Sequence, residues 1–481
     1  MNKIIKILFL FFISSAFSYG QVSSYLIKGE IKGIKDTTCI LAYYYGDKQY
    51  AKDTASIDSG GKFQFKGYEK LEQGMHFVLL PNGQHFELII DKDQKFEFKT
   101  ELGDLLVEKM TFVSSKSNSQ FYQYLKDLSL IQKGDKNKIN LNMIATRSSF
   151  IKKYPDNFFS VVLEATIDVE IPKDLDSLAQ YRYYKKHFWD NINLEDSRIL
   201  RTPIFHQKWS QYIDNLTFKN PDSIIVSIDE VINKCLNNQE TFKYLLSYNT
   251  SKYETSKIMG MEKIFVHLVE KYFKTNKVDW IDDDQMRKII ERSDTWQPLV
   301  VGEKAPNLIL RDEKDRIQEL HKINADFILL MFYDPDCGHC KTEIPKIKDV
   351  CDKIIKDGQN LEVFAVCTEL EKELWMEFIK EKKLDDWINV GEFKTFKDGE
   401  YKPDADPYVH PNPWYRNKYD ITSTPRIYIL DKNKNILANA LKGNIPTEKI
   451  HELIFKSGTL INQIKIEKPH HVHHHDHNHK H

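Results

Sequence analysis

The chain has 481 residues, of which 41% are hydrophobic and 29% charged, and its formal net charge is -1 at pH 7. This length and composition are typical of a globular protein with two or three domains, and the near-neutral charge argues against nucleic acid as a partner. After residue 20 no apolar run approaches the roughly 18 residues that a membrane span requires, so we expect no span beyond the N-terminal segment.

Residues 1–20 have the pattern of a secretory signal peptide. Lys3 and Lys6 precede an apolar stretch, residues 7–13, and small residues then lead to Gly20, where cleavage is expected. The alternative is a buried N-terminal helix, which this charge and length pattern fits less well. Export would place the protein in the periplasm or cell envelope, where disulfides persist.

Residues 21–115 show the period of two that is typical of β-strands. Apolar and charged residues alternate, as in KFQFK at residues 62–66. Gly-Gly at 60–61 and Asn-Gly at 82–83 separate apolar runs, and these residues suit hairpin turns because they accept a positive φ. The pattern predicts an antiparallel β-sandwich domain.

Residues 116–298 change to the period of a helix. Ile228 and Ile232, for example, fall on one face, and several prolines divide the region. We therefore predict an α-helical domain built of short helices. No group of residues here has the spacing of a catalytic site, and His267 and Cys235 are interpreted as packing residues.

Residues 299–467 show a third pattern. Phe327–Tyr333 is a continuous apolar run, typical of a strand that is buried on both faces, and Leu361–Cys367 is a second one. Helical segments follow each run, and a hairpin and a last helix close the region. The order predicts an α/β domain around a central sheet.

A C-G-H-C motif, Cys337 to Cys340, directly follows the first of these apolar runs. Lys341 stands where haem attachment requires a histidine. Cys351 and Cys367 are isolated within apolar patterns, so the four ligands of a structural zinc site are missing. A purely structural disulfide would close too short a loop to stabilise the fold much. A redox-active pair is the remaining interpretation.

The position of the motif assigns a role to each cysteine. Cys337 falls at the N-terminus of the predicted helix, where unpaired N–H groups and the helix dipole stabilise a thiolate. Cys340 lies one turn inside, so it is expected to resolve the mixed disulfide that Cys337 forms and to end in a Cys337–Cys340 disulfide. His339 adds a hydrogen-bond donor beside the thiolate, although it could also be an ordinary exposed turn residue.

Residues 302–466 resemble a thioredoxin-like domain of the secreted bacterial TlpA type of thiol–disulfide oxidoreductases. The resemblance rests on C-G-H-C after an apolar strand, on Pro345, and on Thr424-Pro425 ahead of another strand. In that family the matching proline is cis and faces the cysteines, and its neighbour's backbone pairs with an extended substrate. The resemblance thus implies a substrate-binding surface made of Gly338, His339, Thr424 and Pro425.

Three positions are compared with the family pattern. Met331 replaces the buried Asp that many thioredoxins carry six residues before the first cysteine, and Asp336 replaces the Trp that commonly precedes the pair. Glu343 matches a Glu of TlpA-type proteins, and the resemblance implies that it accepts the proton of Cys340. A carboxylate in the first turn of a helix is also stabilised by the helix dipole alone, so both roles stay open.

The last segment, residues 468–481, is rich in histidine. An expression tag is one explanation, but other residues interrupt the run, which favours a natural segment. Neutral imidazoles on such a tail could capture Zn²⁺, Ni²⁺ or Cu²⁺. The candidate ligands are His470, His471, His473, His474, His475, His477, His479 and His481.

The sequence as a whole predicts an exported thiol–disulfide oxidoreductase that reduces disulfides of other exported proteins. We expect no cofactor, and we expect a soluble or membrane-side electron donor. The alternatives are an envelope binding or scaffold protein with a secondary redox domain, and metal handling through the tail. The resemblance favours reduction, whereas C-G-H-C also occurs in oxidising isomerases, whose potentials lie about 90 mV above that of thioredoxin.

Overall fold

The computed structural model describes residues 23–369, 371–392, 396–397, 400–401, 414–439, 441 and 445–463, and it describes their side chains up to residue 455 except at 396–397, 400–401 and 414. The predicted signal peptide and the histidine-rich tail lie outside these residues. The chain divides into two compact units between Tyr212 and Ile213. The predicted domain boundaries, 21–115, 116–298 and 299–467, stay a prediction.

The first unit begins with two four-stranded sheets, ordered β4-β1-β7-β8 and β3-β2-β5-β6. Their buried side chains form one hydrophobic core, in which Ile27 and Phe98 come from one sheet and Leu41 and Phe77 from the other. The strands are β1 Tyr25–Lys32, β2 Thr37–Tyr45, β3 Lys48–Ile57, β4 Lys62–Gly67, β5 Gly74–Leu79, β6 His85–Ile90, β7 Lys95–Glu101 and β8 Thr111–Val113, with the short helix α1 Leu106–Lys109 before β8.

This β-rich fold confirms the predicted class, with one difference in strand pairing. β1 pairs antiparallel with β4 but parallel with β7. The predicted turns are present: Gly61 has a φ of +78°, and a Cβ there would lie 2.3 Å from the Ile31 carbonyl oxygen. Gly83, at the second turn, has a φ of +84°. Glycine is therefore required at position 61 by both conformation and space.

Helices complete the first unit. Three of them begin where a polar side chain caps free N–H groups, as Ser115 does for Asn118 and Asp176 does for Leu178 and Ala179. The helices are α2 Lys116–Gln132, α3 Ile139–Lys153, α4 Phe158–Ala165, α5 Ser177–His187 and α6 Pro203–Asp214, at whose end the division between units falls.

The second unit starts with four further helices. Asn220 caps the first of them, and Pro221 occupies its first turn, where a missing N–H costs nothing. The buried face carries Ile228 and Ile232, as the sequence predicted. The helices are α7 Pro221–Lys234, α8 Gln239–Glu254, α9 Glu262–Leu268, which continues into one π-helical turn, and α10 Asp283–Trp296.

The same unit contains a seven-stranded mixed sheet, ordered β10-β9-β13-β12-β11-β16-β17. The strands are β9 Ile309–Asp312, β10 Ile317–Glu319, β11 Phe327–Tyr333, β12 Leu361–Cys367, β13 Ile388–Gly391, β16 Arg426–Asp431 and β17 Ile436–Ala438, and a separate hairpin is made of β14 Phe396–Lys397 and β15 Glu400–Tyr401. The helices are α11 Gly338–Lys356, α12 Lys372–Lys382, α13 Trp414–Lys418 and α14 Thr447–Gln463.

β11 is an interior strand of this sheet. It pairs parallel with β12 and antiparallel with β16, and six of its seven residues are buried. This confirms the prediction of a strand that is buried on both faces. The C-G-H-C motif follows shortly after the end of this strand. None of the described helices is both long and apolar enough to cross a membrane.

Candidate functional site

The two cysteines lie at the junction of β11 and α11. Cys337 is the residue before the helix, with an extended φ of -68° and ψ of 120°, and its carbonyl accepts the Lys341 N–H at 3.0 Å. Cys340 lies within the first turn and is fully buried, whereas Cys337 is partly exposed. Both are free thiols. The site therefore presents one accessible sulfur and keeps the second one behind it.

The surroundings of the two sulfurs differ in the charge that they favour. Partial burial acts to raise the pKa of Cys337, but hydrogen bonds with the Cys340 backbone N–H and the Thr424 side chain outweigh it, and the pKa lies below the ordinary thiol value. Burial raises the pKa of Cys340 to about 12, although the Asp334 N–H donates to its Sγ at 3.5 Å. Near neutral pH the site favours a thiolate on Cys337 and a thiol on Cys340.

A loop far along the chain lies against the first cysteine. The Thr424-Pro425 peptide bond is cis, and the Thr424 carbonyl accepts a hydrogen bond from Cys337 Sγ at 3.4 Å. The structure therefore brings Thr424 and Pro425 together with Cys337, as the resemblance implied. Binding of substrate by these residues stays a prediction.

The two residues between the cysteines face open space. A Cβ added to Gly338 would meet no atom within 4 Å, and His339 is exposed. Neither contributes to the hydrophobic core around Cys340, which includes Tyr333 and Ile344. The two positions are thus available to a partner, which is compatible with their predicted place in a substrate-binding surface.

Glu343 lies one turn further along α11 and is about 36% exposed. Its carboxylate accepts hydrogen bonds from Lys346 Nζ at 2.8 Å and from Thr447 Oγ1, on α14, at 3.2 Å. The ion pair with Lys346 holds the pKa of Glu343 below its ordinary value. These contacts engage the carboxylate, and they favour the second of the two predicted roles, in which Glu343 is stabilised on the helix without taking up the proton of Cys340.

We expect Glu343→Gln to change the rate of disulfide exchange by less than about threefold between about pH 6 and pH 9. The amide can still accept from Thr447, and a carboxylate whose pKa is lowered is a weak base. The measurement is insulin reduction, with Glu377→Gln, on an exposed face of α12, as the control for loss of one charge. A loss of about 10²-fold, typical of general acid–base catalysis, would instead establish proton transfer to Glu343.

Asp334 is a site residue that the sequence analysis did not single out. Besides the N–H that reaches Cys340, its carbonyl accepts the Cys337 N–H at 3.1 Å, and its carboxylate accepts the Asp336 N–H at 2.8 Å. The Asp-Pro-Asp sequence at 334–336 is a turn signal that could have indicated this role. Met331, at the position of the missing family Asp, is buried in the core.

The remaining candidate residues are placed away from these contacts. Cys351 and Cys235 are buried, as predicted. His267 is not purely a packing residue, because its Nε2 lies 2.8 Å from Asp229 Oδ2. Within the described part of the chain, no three His, Cys, Asp or Glu side chains are grouped as metal ligands. The tail histidines lie outside the described residues.

Comparison with known families gives one match for each predicted region. Residues 25–121 match the domain of unknown function DUF4369, and residues 131–294 match the domain of unknown function DUF5106. Residues 301–438 match the AhpC/TSA family. Comparison with curated proteins gave no match.

Solved structures of thioredoxin-like proteins are similar to parts of the chain. A thioredoxin-like protein from Bacteroides caccae is 21% identical, over 60% of this chain and 98% of its own, with a TM-score of 0.43. A domain of a possible thiol-disulfide isomerase from Cytophaga hutchinsonii is 30% identical, over 34% of this chain and 97% of its own, with a TM-score of 0.28. A thiol:disulfide interchange protein from Bacteroides sp. is 23% identical, over 37% and 98%, with a TM-score of 0.25.

The family matches confirm the predicted thioredoxin-like domain, and they identify the β-rich and helical regions ahead of it as two domains of unknown function. The chain thus carries a thioredoxin-like domain of the AhpC/TSA family at residues 301–438, with a DUF4369 domain and a DUF5106 domain ahead of it.

Proposed function

We propose that the protein is an exported thiol–disulfide oxidoreductase that reduces disulfides of other exported proteins through Cys337 and Cys340. The observation that carries the proposal is the asymmetry of the two sulfurs. Cys337 is accessible and its pKa is lowered, whereas Cys340 is buried and its pKa is raised to about 12. Disulfide exchange requires one attacking thiolate and one protected thiol that acts later.

The proposed reaction has two exchange steps. The Cys337 thiolate attacks one sulfur of a substrate disulfide, the substrate S–S bond breaks, and the departing sulfur takes up a proton. Cys340 then loses its proton and attacks Cys337 Sγ, which releases the second substrate sulfur as a thiol. Two electrons and two protons pass from the dithiol to the substrate, and the Cys337–Cys340 disulfide forms.

A second dithiol must reduce that disulfide before another turnover. We propose a soluble or membrane-side thiol donor for this step, and dithiothreitol can replace it in an assay. Reduction, rather than oxidation, is the direction that we propose. The first twenty residues, which have the pattern of a signal peptide, support action outside the cytoplasm.

The proposal is tested by insulin reduction with dithiothreitol as the electron donor. We expect the wild-type protein to accelerate precipitation of the insulin B chain and Cys337→Ser to return the rate to that of dithiothreitol alone. Cys351→Ala, which removes a buried thiol of the same domain, should stay within about twofold of wild type. A wild-type rate equal to that of dithiothreitol alone would refute the proposed reductase activity.

A further inference from the structure

The last helix of the helical region contacts the redox domain close to the site. α10 ends at Trp296, whose indole Nε1–H donates to Asp420 Oδ2 at 3.0 Å. The indole ring is 6% exposed and packs edge-on against Phe265 of α9, at 5.2 Å between ring centroids. A side chain held rigidly by the helices thus binds a residue 124 positions further along the chain.

Asp420 is the first residue of the segment that ends at the cis proline. Its backbone is left-handed, with a φ of +48°. Its carbonyl accepts a hydrogen bond from the Arg426 guanidinium at 2.6 Å, and the same nitrogen donates to Thr422 Oγ1 at 3.2 Å. Arg426 is buried at the start of β16. The start of the segment is therefore held by two side chains, Arg426 from the sheet and Trp296 from the helices.

Thr424 lies within this fixed segment and contacts Cys337 Sγ through its carbonyl at 3.4 Å. A shift of Asp420 would move the segment and, with it, the Thr424 contact, because only three residues separate the two. We propose that Trp296 is a positioning residue of the redox site: by holding Asp420, the helical region sets the place of Thr424 against Cys337. The importance of this contact for catalysis rests on the proposed function.

The effect of the segment's position on Cys337 can be separated from the effect of nearby charges. On the first turns of its own helix and on the preceding turn, the charged or titratable side chains are Asp334, Asp336, His339, Cys340, Lys341 and Glu343. On the opposing segment they are Asp420 and Arg426. Trp296→Phe alters none of them and keeps an aromatic ring against Phe265, so a change in the titration of Cys337 would report the position of the segment.

The test is the rate at which iodoacetamide alkylates Cys337, measured on the full reduced chain as a function of pH. We expect Trp296→Phe to move the midpoint to higher pH and to slow alkylation at pH 7 about threefold, because a shift of the segment weakens the hydrogen bond of the Thr424 side chain, which favours the Cys337 thiolate. Trp280→Phe, which alters another indole of the helical region packed against Phe242, should leave the profile unchanged. Coinciding profiles for the two variants would refute the proposal.

Substitutions of Asp420 repeat the test without altering the helices. Asp420→Gly accepts the left-handed backbone but removes the acceptor, so it should reproduce the slower alkylation. Asp420→Asn removes the charge, tolerates the same backbone and keeps an acceptor oxygen, so it should match wild type. Equal profiles for these two variants would contradict the role of the hydrogen bond.

The alkylation measurement needs no disulfide substrate. Failure of the wild-type protein to reduce insulin would refute the proposed function and leave the coupling of Trp296 to Cys337 standing. An unshifted Trp296→Phe profile with normal insulin reduction would refute the coupling alone.

Discussion

Cys340→Ser protein, produced in cells with its N-terminal segment intact, is expected to accumulate mixed disulfides with other exported proteins. Cys337 attacks a substrate disulfide in this variant, but the sulfur that would release the adduct is missing. Cys337→Ser should trap at least about tenfold less, because the remaining sulfur is fully buried and its pKa is about 12. Non-reducing electrophoresis of alkylated extracts measures both.

The adducts must disappear when reductant is added, and the double variant that lacks both sulfurs provides the background. More adducts from Cys337→Ser than from Cys340→Ser would reverse the assignment of the attacking and resolving sulfurs. An absence of adducts from both variants would contradict the redox function itself. A metal or structural role for the pair predicts this second result.

Alkylation of the reduced protein at pH 7 is expected to modify Cys337 at least about 30-fold faster than Cys340. The pKa of Cys337 lies below the ordinary thiol value and burial raises that of Cys340 to about 12, so Cys337 carries at least about 10³-fold more thiolate. A less basic thiolate is also a weaker nucleophile, which cancels about half of this advantage on a logarithmic scale and leaves a rate ratio of about 30. Burial of Cys340 adds to the difference.

The pH dependence of the labelling rate shows in which direction the pKa of each cysteine is shifted. As pH falls below the pKa of Cys337, its labelling should decline about tenfold per pH unit, and as pH rises the labelling should level off at a lower pH than that of an ordinary thiol, whose pKa is about 8.5. Cys340 should continue to gain reactivity towards about pH 12 for as long as the fold persists. Mass spectrometry of peptides labelled with iodoacetamide measures each site, and a Cys337 profile that is still rising above pH 9 would contradict the lowered pKa.

The other buried thiols are internal controls for this experiment. Burial raises the pKa of Cys351 to about 12 and that of Cys367 well above its ordinary value. Both should stay unlabelled until the domain is unfolded in denaturant. Rapid labelling of either one in the native protein would show that exposure, rather than the thiolate fraction, controls the reaction.

Local sequence patterns predicted the strands themselves better than the pairing of strands with one another. Period two predicted the strands of the first unit, and the glycine turn at Gly61 followed from its chemistry. The parallel pairing of β1 with β7 was not predictable, because strand partners far apart in sequence leave no trace in the periodicity of either strand. The interior position of β11, by contrast, followed from its unbroken apolar run.

The redox site, too, was predictable from the sequence only in part. The helix N-terminus at Cys337 and the burial of Cys340 followed from spacing alone. The resemblance located Thr424 and Pro425, whose contact with Cys337 spans 87 positions of the chain. The partners of Glu343 depend on α14, and the Trp296–Asp420 hydrogen bond depends on how the helices pack on the sheet domain. Such contacts arise from tertiary structure, which single-sequence patterns do not encode.

The open surroundings of Gly338 and His339 have a consequence for how such a site can evolve. Most substitutions between the cysteines would leave the core untouched, and surface changes of that kind alter stability by only about 0.5 kcal/mol. Reduction potentials of C-x-x-C proteins nevertheless span about 150 mV, from thioredoxin to DsbA. Selection could therefore retune this dipeptide towards a new electron donor by point mutation, while the scaffold that holds it stays the same.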